Sequence, residues 1–280
     1  MDKNEKEIRE MLSPNREKLD SMNCFSHSQY GRFCECEARA VAVLKKEWTE
    51  KTSAALTFGK YFHSYFEGPE AFAKFKNENV DEIFTKKGEL RAEFKVADAM
   101  FKKITGDPKA AAFATGLHEV DIDGEINGVP WRGKIDVLDM ENLWFTDLKA
   151  VADLYAGEWM VLKDEAGNWR NRKVSFIEAY HYHRQMAIYR EILKQRTGKN
   201  FAPMMLAVSK QEYPAIELIG FTDFPRLEME VAEIEISQDR FVDLKAGKVQ
   251  PEWCGKCDYC RAMKRVTRMI TPKDLERMVM

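Results

Sequence analysis

The stretch from Gly133 to Ala150 constrains this chain more than any other. It predicts two strands, Val129 to Asp139 and Leu143 to Val151, joined by a turn at Met140-Glu141-Asn142. Within the second strand, Trp144-Phe145-Thr146-Asp147-Leu148-Lys149-Ala150 sets two charges in an otherwise apolar element. Side chains alternate along a strand, so Asp147 and Lys149 share one face. Asp136, in Gly133-Lys134-Ile135-Asp136-Val137-Leu138, can be brought alongside by the hairpin.

Two carboxylates converging at a strand edge repel one another unless a cation lies between them. Oxygen donors of this kind favour hard ions such as Mg²⁺ or Mn²⁺. An ion held there can polarise a phosphate and lower the pKa of an attacking water, and a nearby lysine can orient or deprotonate that water. An Asp–Lys pair on an exposed strand has the same local spelling, so the rest of the chain must decide between the two.

Upstream, Ser26 to Trp48 predicts a helix, Phe58 to Phe75 a second one broken or bent near Gly68-Pro69, and Glu89 to Ile104 a third. Leu117 to Ile122 predicts the strand that precedes Val129. Beyond the central hairpin, Glu158 to Asn171 reads as a charged loop. Ser175 with Glu178 forms a capping box for a helix running to Gly198. Strands follow at Pro203 to Ser209 and Ala215 to Gly220, then a helix from Leu227 to Lys245. This order predicts an α/β (mixed α+β) fold with a central mixed sheet flanked by helices. The expected organisation is a charged leader at 1–22, a main domain at 23–250 and a cysteine-containing tail at 251–280 packed on it.

With 280 residues, 45% of them hydrophobic, the chain can bury a full core. No apolar run approaches the ~20 residues of a membrane span. The polar start lacks the apolar stretch of a signal peptide, so a cytosolic setting is expected. A net charge of −2 gives no global basic footprint, which leaves nucleic-acid contact to local patches or bound metal.

The Gly133–Ala150 segment resembles the D-x(n)-(D/E)-x-K core of the PD-(D/E)XK nucleases, with Asp147 at the variable acidic position. Gly59-Lys60-Tyr61-Phe62-His63 resembles the helix that supplies a metal-binding histidine in the RecB-like branch. Glu119 stands where several of these enzymes carry an extra acidic residue. Gln185-Met186-Ala187-Ile188-Tyr189 fits the Q-x-x-x-Y motif. The resemblance implies catalytic roles for Asp136, Asp147, Lys149, Gln185, Tyr189 and Glu119. It implies a ligand set of His63, Asp136, Asp147 and Leu148 for Mg²⁺ or Mn²⁺, as two ions. Each residue also has a plain reading: His63 sits among aromatics, Tyr189 suits a core, and Glu119 suits an exposed strand. His181 and His183 diverge on their helix, and Asp121-Ile122-Asp123-Gly124 misplaces the glycine of a calcium loop.

The last third, through Val208-Ser209-Lys210 and Tyr213-Pro214-Ala215-Ile216-Glu217, resembles exonuclease VIII (RecE-like) phage and prophage proteins. That implies degradation of linear double-stranded DNA, 5′ to 3′, leaving 3′ tails for a RecT-type annealing partner in a bacterial cell. It also implies a homo-oligomer, while the lack of a long apolar run gives no expectation of a membrane partner. Lys86, Lys87, Arg91, Arg172, Lys173, Lys264 and Arg265 could line the DNA path or simply form a solvated face. A RecB-like nuclease with another role (trimming DNA for CRISPR adaptation, or restriction) has the same site. A non-catalytic DNA-binding module with a metal-bound tail would not need Asp136, Asp147 and Lys149 together.

Cys254-x-x-Cys257-x-x-Cys260 can wrap a soft metal or an iron–sulfur cluster in a structural role, and a fourth ligand must come from elsewhere. Ser26-His27-Ser28-Gln29-Tyr30-Gly31-Arg32-Phe33-Cys34 resembles the N-terminal segment of RecB-like nucleases that carry a [4Fe–4S] cluster, which implies Cys34 as that ligand. Cys36 and Cys24 are alternatives. The family's tail has a longer last gap, so Zn²⁺ or no metal stays open beside the cluster.

Overall fold

The computed structural model describes residues 3–51, 54–163 and 167–279. Its helices are α1 (Lys3–Leu12), α2 (His27–Glu35), α3 (Glu37–Leu44), α4 (Ala54–Glu67), α5 (Pro69–Glu78), α6 (Val80–Ile83), α7 (Ala92–Thr105), α8 (Pro108–Phe113), α9 (Phe176–Ala179), α10 (Tyr182–Thr197), α11 (Phe224–Lys245), α12 (Asp258–Met263) and α13 (Pro272–Val279). Its strands are β1 (Leu117–Ile126), β2 (Val129–Asp139), β3 (Trp144–Val151), β4 (Glu158–Lys163), β5 (Trp169–Val174), β6 (Ala202–Ser209) and β7 (Ile216–Gly220). Two compact units emerge, Met1–His27 with Lys51–Gln238, and Ser28–Glu50 with Asp239–Met280. Among the described residues no helix is long and apolar enough to cross a membrane.

The first unit is built on a five-stranded sheet of order β1-β2-β3-β6-β7. β3 and β6 run parallel and the other neighbours antiparallel, which gives the expected mixed sheet with helices on its faces. β1 and β2 join through Asn127-Gly128, both at positive φ (46° and 74°), the two-residue turn that suits strand twist. Val137, Leu148, Leu206 and Val208 pack on Phe62, Phe94, Phe101 and Ile104 of α4 and α7. On the neighbouring positions Phe145 meets Tyr189 of α10, with ring centroids 6.2 Å apart.

The 1–22 segment contributes α1 to this unit. Just after α1, Ser13 Oγ donates to Asp123 Oδ1 (2.8 Å) and Asn15 Nδ2 to Oδ2 (3.1 Å), and Arg196 pairs with the same carboxylate. Asp123 is 1% exposed, so this convergence satisfies a buried charge.

In the second unit the Arg240 guanidinium forks onto Glu37, at 2.6 and 2.8 Å, and Glu252 N–H donates to the same carboxylate. Phe241 stacks on Phe33 and meets Tyr30 edge-on.

Three sequence expectations change. The helix over Ser26 to Trp48 is two helices, because Cys36 is extended (φ −166°, ψ 106°) and its Sγ caps α3 by accepting from Arg39 N–H. The helix from Ser175 to Gly198 breaks at His181, which is left-handed at φ 55°; Ser175 caps only α9. The charged loop over Glu158 to Asn171 contains an antiparallel ribbon, β4 with β5, and residues 164–166 of it lie outside the described residues. Its alternation is masked by charge because the ribbon presents Trp159 and Val161 to solvent rather than to a core.

Candidate active site

β2 and β3 pair from Val137↔Thr146 to Asp139↔Trp144, and the ladder then ends. Past that point Asp136 Oδ2 accepts from Leu148 N–H at 2.7 Å, so a carboxylate takes over where a strand carbonyl would have been. The opening lets α4 bring His63 to Asp136, with Nδ1 3.3 Å from Oδ1. Glu119 of β1 joins them, its Oε1 3.9 Å from the same nitrogen. His63, Glu119 and Asp136 each offer a donor atom within 4.8 Å of the others.

Asp147 and Lys149 share a face, as strand alternation requires, and pair closely. Lys149 Nζ lies 3.0 Å from Asp147 Oδ1 and 2.8 Å from Oδ2. Gln185 Nε2, from the first turns of α10, donates to Oδ1 at 2.6 Å. Oδ2 is sealed from solvent and receives no directed hydrogen bond, only the charge of Lys149. Tyr182 lies beneath the ammonium, 5.1 Å from Nζ to its ring centre. The Tyr189 ring fills the space above Gly133, where a Cβ would stand 2.4 Å from Cε1. The surrounding cleft, about 780 Å³, is lined by His63, Glu119, Lys134, Asp136, Leu148 and Lys149 among others.

The charges are strongly unequal in behaviour. Burial pushes the Asp147 carboxyl up, and the negative Asp136 adds to this against the pull of Lys149. Burial acts on Asp136 in the same sense, but His63, Lys149 and Leu148 N–H outweigh it and hold Asp136 below the usual carboxylate range. For Lys149, burial would favour the neutral amine, but Asp147 and Asp136 overcome it and push the group up from the usual amine range. His63 is likewise lowered by burial but raised overall by Asp136.

All the residues singled out around the hairpin therefore gather in one place. Gln185 meets Asp147, not Lys149 or an open surface, and Tyr189 is buried at the back of the site. Leu148 keeps its side chain in the core, so a metal could use only its main-chain carbonyl. Three contributors escaped the sequence reading. Lys134 Nζ reaches Glu119 Oε2 at 3.1 Å, and its place two residues before Asp136 on one strand was the available signal. Tyr182, three residues before Gln185, lies one helical turn away. Arg9 had no signal: its guanidinium donates to Glu119 O (3.1 Å) and His118 O (2.8 Å), clamping a Glu119 backbone at φ 48°.

In the second unit the tail thiols of Cys254, Cys257 and Cys260 meet Cys36. Cys34, the ligand implied by the resemblance, is exposed and outside this group. The helix break places Cys36 at a cap, and the residue two positions earlier belongs to the other helix. Cys24 lies in the first unit, its Sγ donating to Asp20 O.

No curated protein matches the sequence. A crystal structure from Eubacterium rectale, named "Putative exonuclease", aligns with a TM-score of 0.80 and 30% identity over 91% of this chain and 93% of its own. The structure of SSO0001 covers 95% of this chain and 98% of its own, but a TM-score of 0.37 at 11% identity carries no structural weight. The model of the PDDEXK-like domain of unknown function (DUF3799) matches residues 26–263. A mixed sheet that opens beside Asp136, with Asp147 and Lys149 on the next strand, agrees with that match, and the chain belongs to this PDDEXK-like family.

Proposed function

We propose that this chain is a divalent-metal-dependent exodeoxyribonuclease of RecE-like type. It acts on linear double-stranded DNA, runs 5′ to 3′, and leaves 3′ single strands for a RecT-type annealing protein. The observation that carries the hydrolytic part is the meeting of His63, Glu119 and Asp136, from three separate elements, beside the Asp147–Lys149 pair.

The donor set fits a hard ion. It is made of carboxylate oxygens and one imidazole, and the donor atoms of His63, Glu119 and Asp136 all lie within 4.8 Å of one another. His63, Asp136, Asp147 and the Leu148 carbonyl would hold Mg²⁺ or Mn²⁺, as two ions, with Glu119 beside them. When bound, the ions neutralise phosphoryl charge and lower the pKa of the attacking water. The chain's own groups do the positioning. Gln185 fixes the rotamer of Asp147, and Tyr189 closes the rear of the site against water. Lys149, whose Nζ is held 3.0 Å from Asp147 Oδ1, would orient the attacking water or donate to a phosphate oxygen.

Action from a chain end is supported by the name "Putative exonuclease" given to the Eubacterium rectale structure, and contact with nucleic acid by the exposed basic positions of the first unit. Lys86 and Lys87 are exposed, as are Arg172 and Lys173 on the β4–β5 ribbon beside Trp159. Arg91 instead spends its guanidinium on Phe84 O and Asp81 O. A chain of net charge −2 gains little from long-range attraction to DNA, so assembly into a ring around the duplex is the expected means of staying bound.

The test is digestion of linear duplex labelled at either end, with Mg²⁺, beside closed circles and the variants Asp147→Ala and Lys149→Ala. Release of 5′ label, intact circles and two inactive variants are expected. Cleavage of closed circles would refute the exonuclease reading. Activity surviving in Lys149→Ala would refute the site.

A further inference from the structure

The four thiols of the second unit lie too close together for the [4Fe–4S] cluster implied by the sequence resemblance. Cys36 Sγ is 3.6 Å from Cys260 Sγ, and Cys254 Sγ is 3.8 Å from Cys260 Sγ. All four sulfurs fall within 4.8 Å of one another. A single tetrahedral ion with metal–sulfur bonds of about 2.3 Å sets its sulfurs about 3.8 Å apart. A four-iron cluster puts a cube of iron and sulfide between its cysteines, each bound at a different corner, and so spreads them much further. From this spacing we infer that Cys36, Cys254, Cys257 and Cys260 bind one Zn²⁺ as a closed, structural tetrathiolate.

The backbone around the sulfurs is arranged for thiolates. Arg39 N–H donates to Cys36 Sγ at 3.4 Å, and Cys260 N–H to Cys257 Sγ at 3.5 Å. Cys254 Sγ accepts from both Lys256 N–H and Cys257 N–H, each at 3.4 Å. That double donation needs the tight turn at Gly255, whose φ of 72° suits glycine. Such bonds favour the charged sulfur over the neutral thiol, which is the state a metal requires. Cys36 and Cys260 are each 4% exposed, and Tyr259 packs against the group.

Four sulfurs complete the tetrahedron and leave no position for a substrate or water, so the ion is a staple. On binding, each protonated thiol releases its proton to solvent, and the metal holds Ser28–Glu50 and the tail as one unit. Zinc is favoured over mononuclear iron because it binds such a donor set more tightly among the divalent ions.

The experiment uses the full chain, expressed with both iron and zinc supplied and purified without oxygen. Elemental analysis, acid-labile sulfide and X-ray absorption at the metal edge are measured, and a mercurial reagent is titrated against the thiols. One zinc per chain is expected, without sulfide, with a single shell of four sulfurs at about 2.3 Å and release on mercurial addition. Cys34→Ser should keep its zinc and Cys36→Ser should lose it. Iron with matching sulfide, absence of any metal, a nitrogen- or oxygen-rich shell, or zinc lost from Cys34→Ser and kept by Cys36→Ser would each overturn the inference. If Cys36→Ser fails to fold, the sulfur count and mercurial release on the unaltered chain decide.

Discussion

Asp136 holds two contacts that substitution can separate. Its Oδ2 accepts from Leu148 N–H at 2.7 Å where the β2–β3 ladder has ended, and its Oδ1 faces His63 at 3.3 Å. Asp136→Ala removes both and strands a main-chain donor beneath a residue that is 1% exposed. A buried donor left unsatisfied costs about 1–3 kcal/mol. Asp136→Asn keeps an oxygen for Leu148 but removes the charge. The Asn variant should therefore exceed the Ala variant by about 1–3 kcal/mol in metal-free urea unfolding, followed by tryptophan fluorescence. Divalent metal discriminates on a second axis. At ten times its dissociation constant an ion that binds only the folded state adds about 1.4 kcal/mol. The unaltered protein should show that gain with Mg²⁺ or Mn²⁺, and neither variant should. Equal stability of the two variants would show that the 2.7 Å bond is not holding the strand edge. A full metal-dependent gain in Asp136→Asn would remove Asp136 from the ion site.

Three further outcomes follow from particular contacts. Gly133→Ala places a Cβ 2.4 Å from Tyr189 Cε1, an overpacking expected to cost about 1–3 kcal/mol. Tyr189→Leu in the same chain should recover part of that loss, and simple additivity in denaturant unfolding would contradict the contact. Arg9→Met removes the fork on Glu119 O and His118 O and should weaken metal-dependent stabilisation without touching the ligands; Arg9→Lys, a single point donor, should restore it only partly. An unchanged metal titration in Arg9→Met would detach Arg9 from the site. Burial pushes the Glu230 carboxyl above its usual range although Arg226 lies 3.0 Å away. A carboxyl that holds its proton more tightly when folded adds stability below its unfolded value near 4.5 and loses it as pH rises through the folded value. Glu230→Gln has no such proton to lose, so its stability relative to the unaltered chain should climb over that interval and stay higher at pH 7. A pH-independent difference between the two would refute the assignment.

The central hairpin was legible because its information is local. Strand alternation put Asp147 and Lys149 on one face, and a short turn brought Asp136 near them, with β2 spanning the expected Val129–Asp139. The helix breaks at Cys36 and His181 were not legible, since each depends on a single residue adopting a non-helical backbone inside an otherwise helical spelling. The β4–β5 ribbon was hidden for the opposite reason: with Trp159 and Val161 in solvent, its pattern obeys no core.

Thus the residues proposed for hydrolysis were already written in residues 133–150, where spacing along one hairpin fixes direction and proximity. The partners that complete the site were decided only by tertiary structure. His63 comes from a helix more than seventy residues upstream, Glu119 from a neighbouring strand, and Arg9 from α1, and no local periodicity links them. The thiol group shows the same division. Three cysteines at regular spacing make a candidate metal site, but whether Cys34 or Cys36 joins them turns on one helix cap. Whether they hold one ion or a cluster turns on sulfur-to-sulfur distances of 3.6 and 3.8 Å, which exist only once both ends of the chain meet.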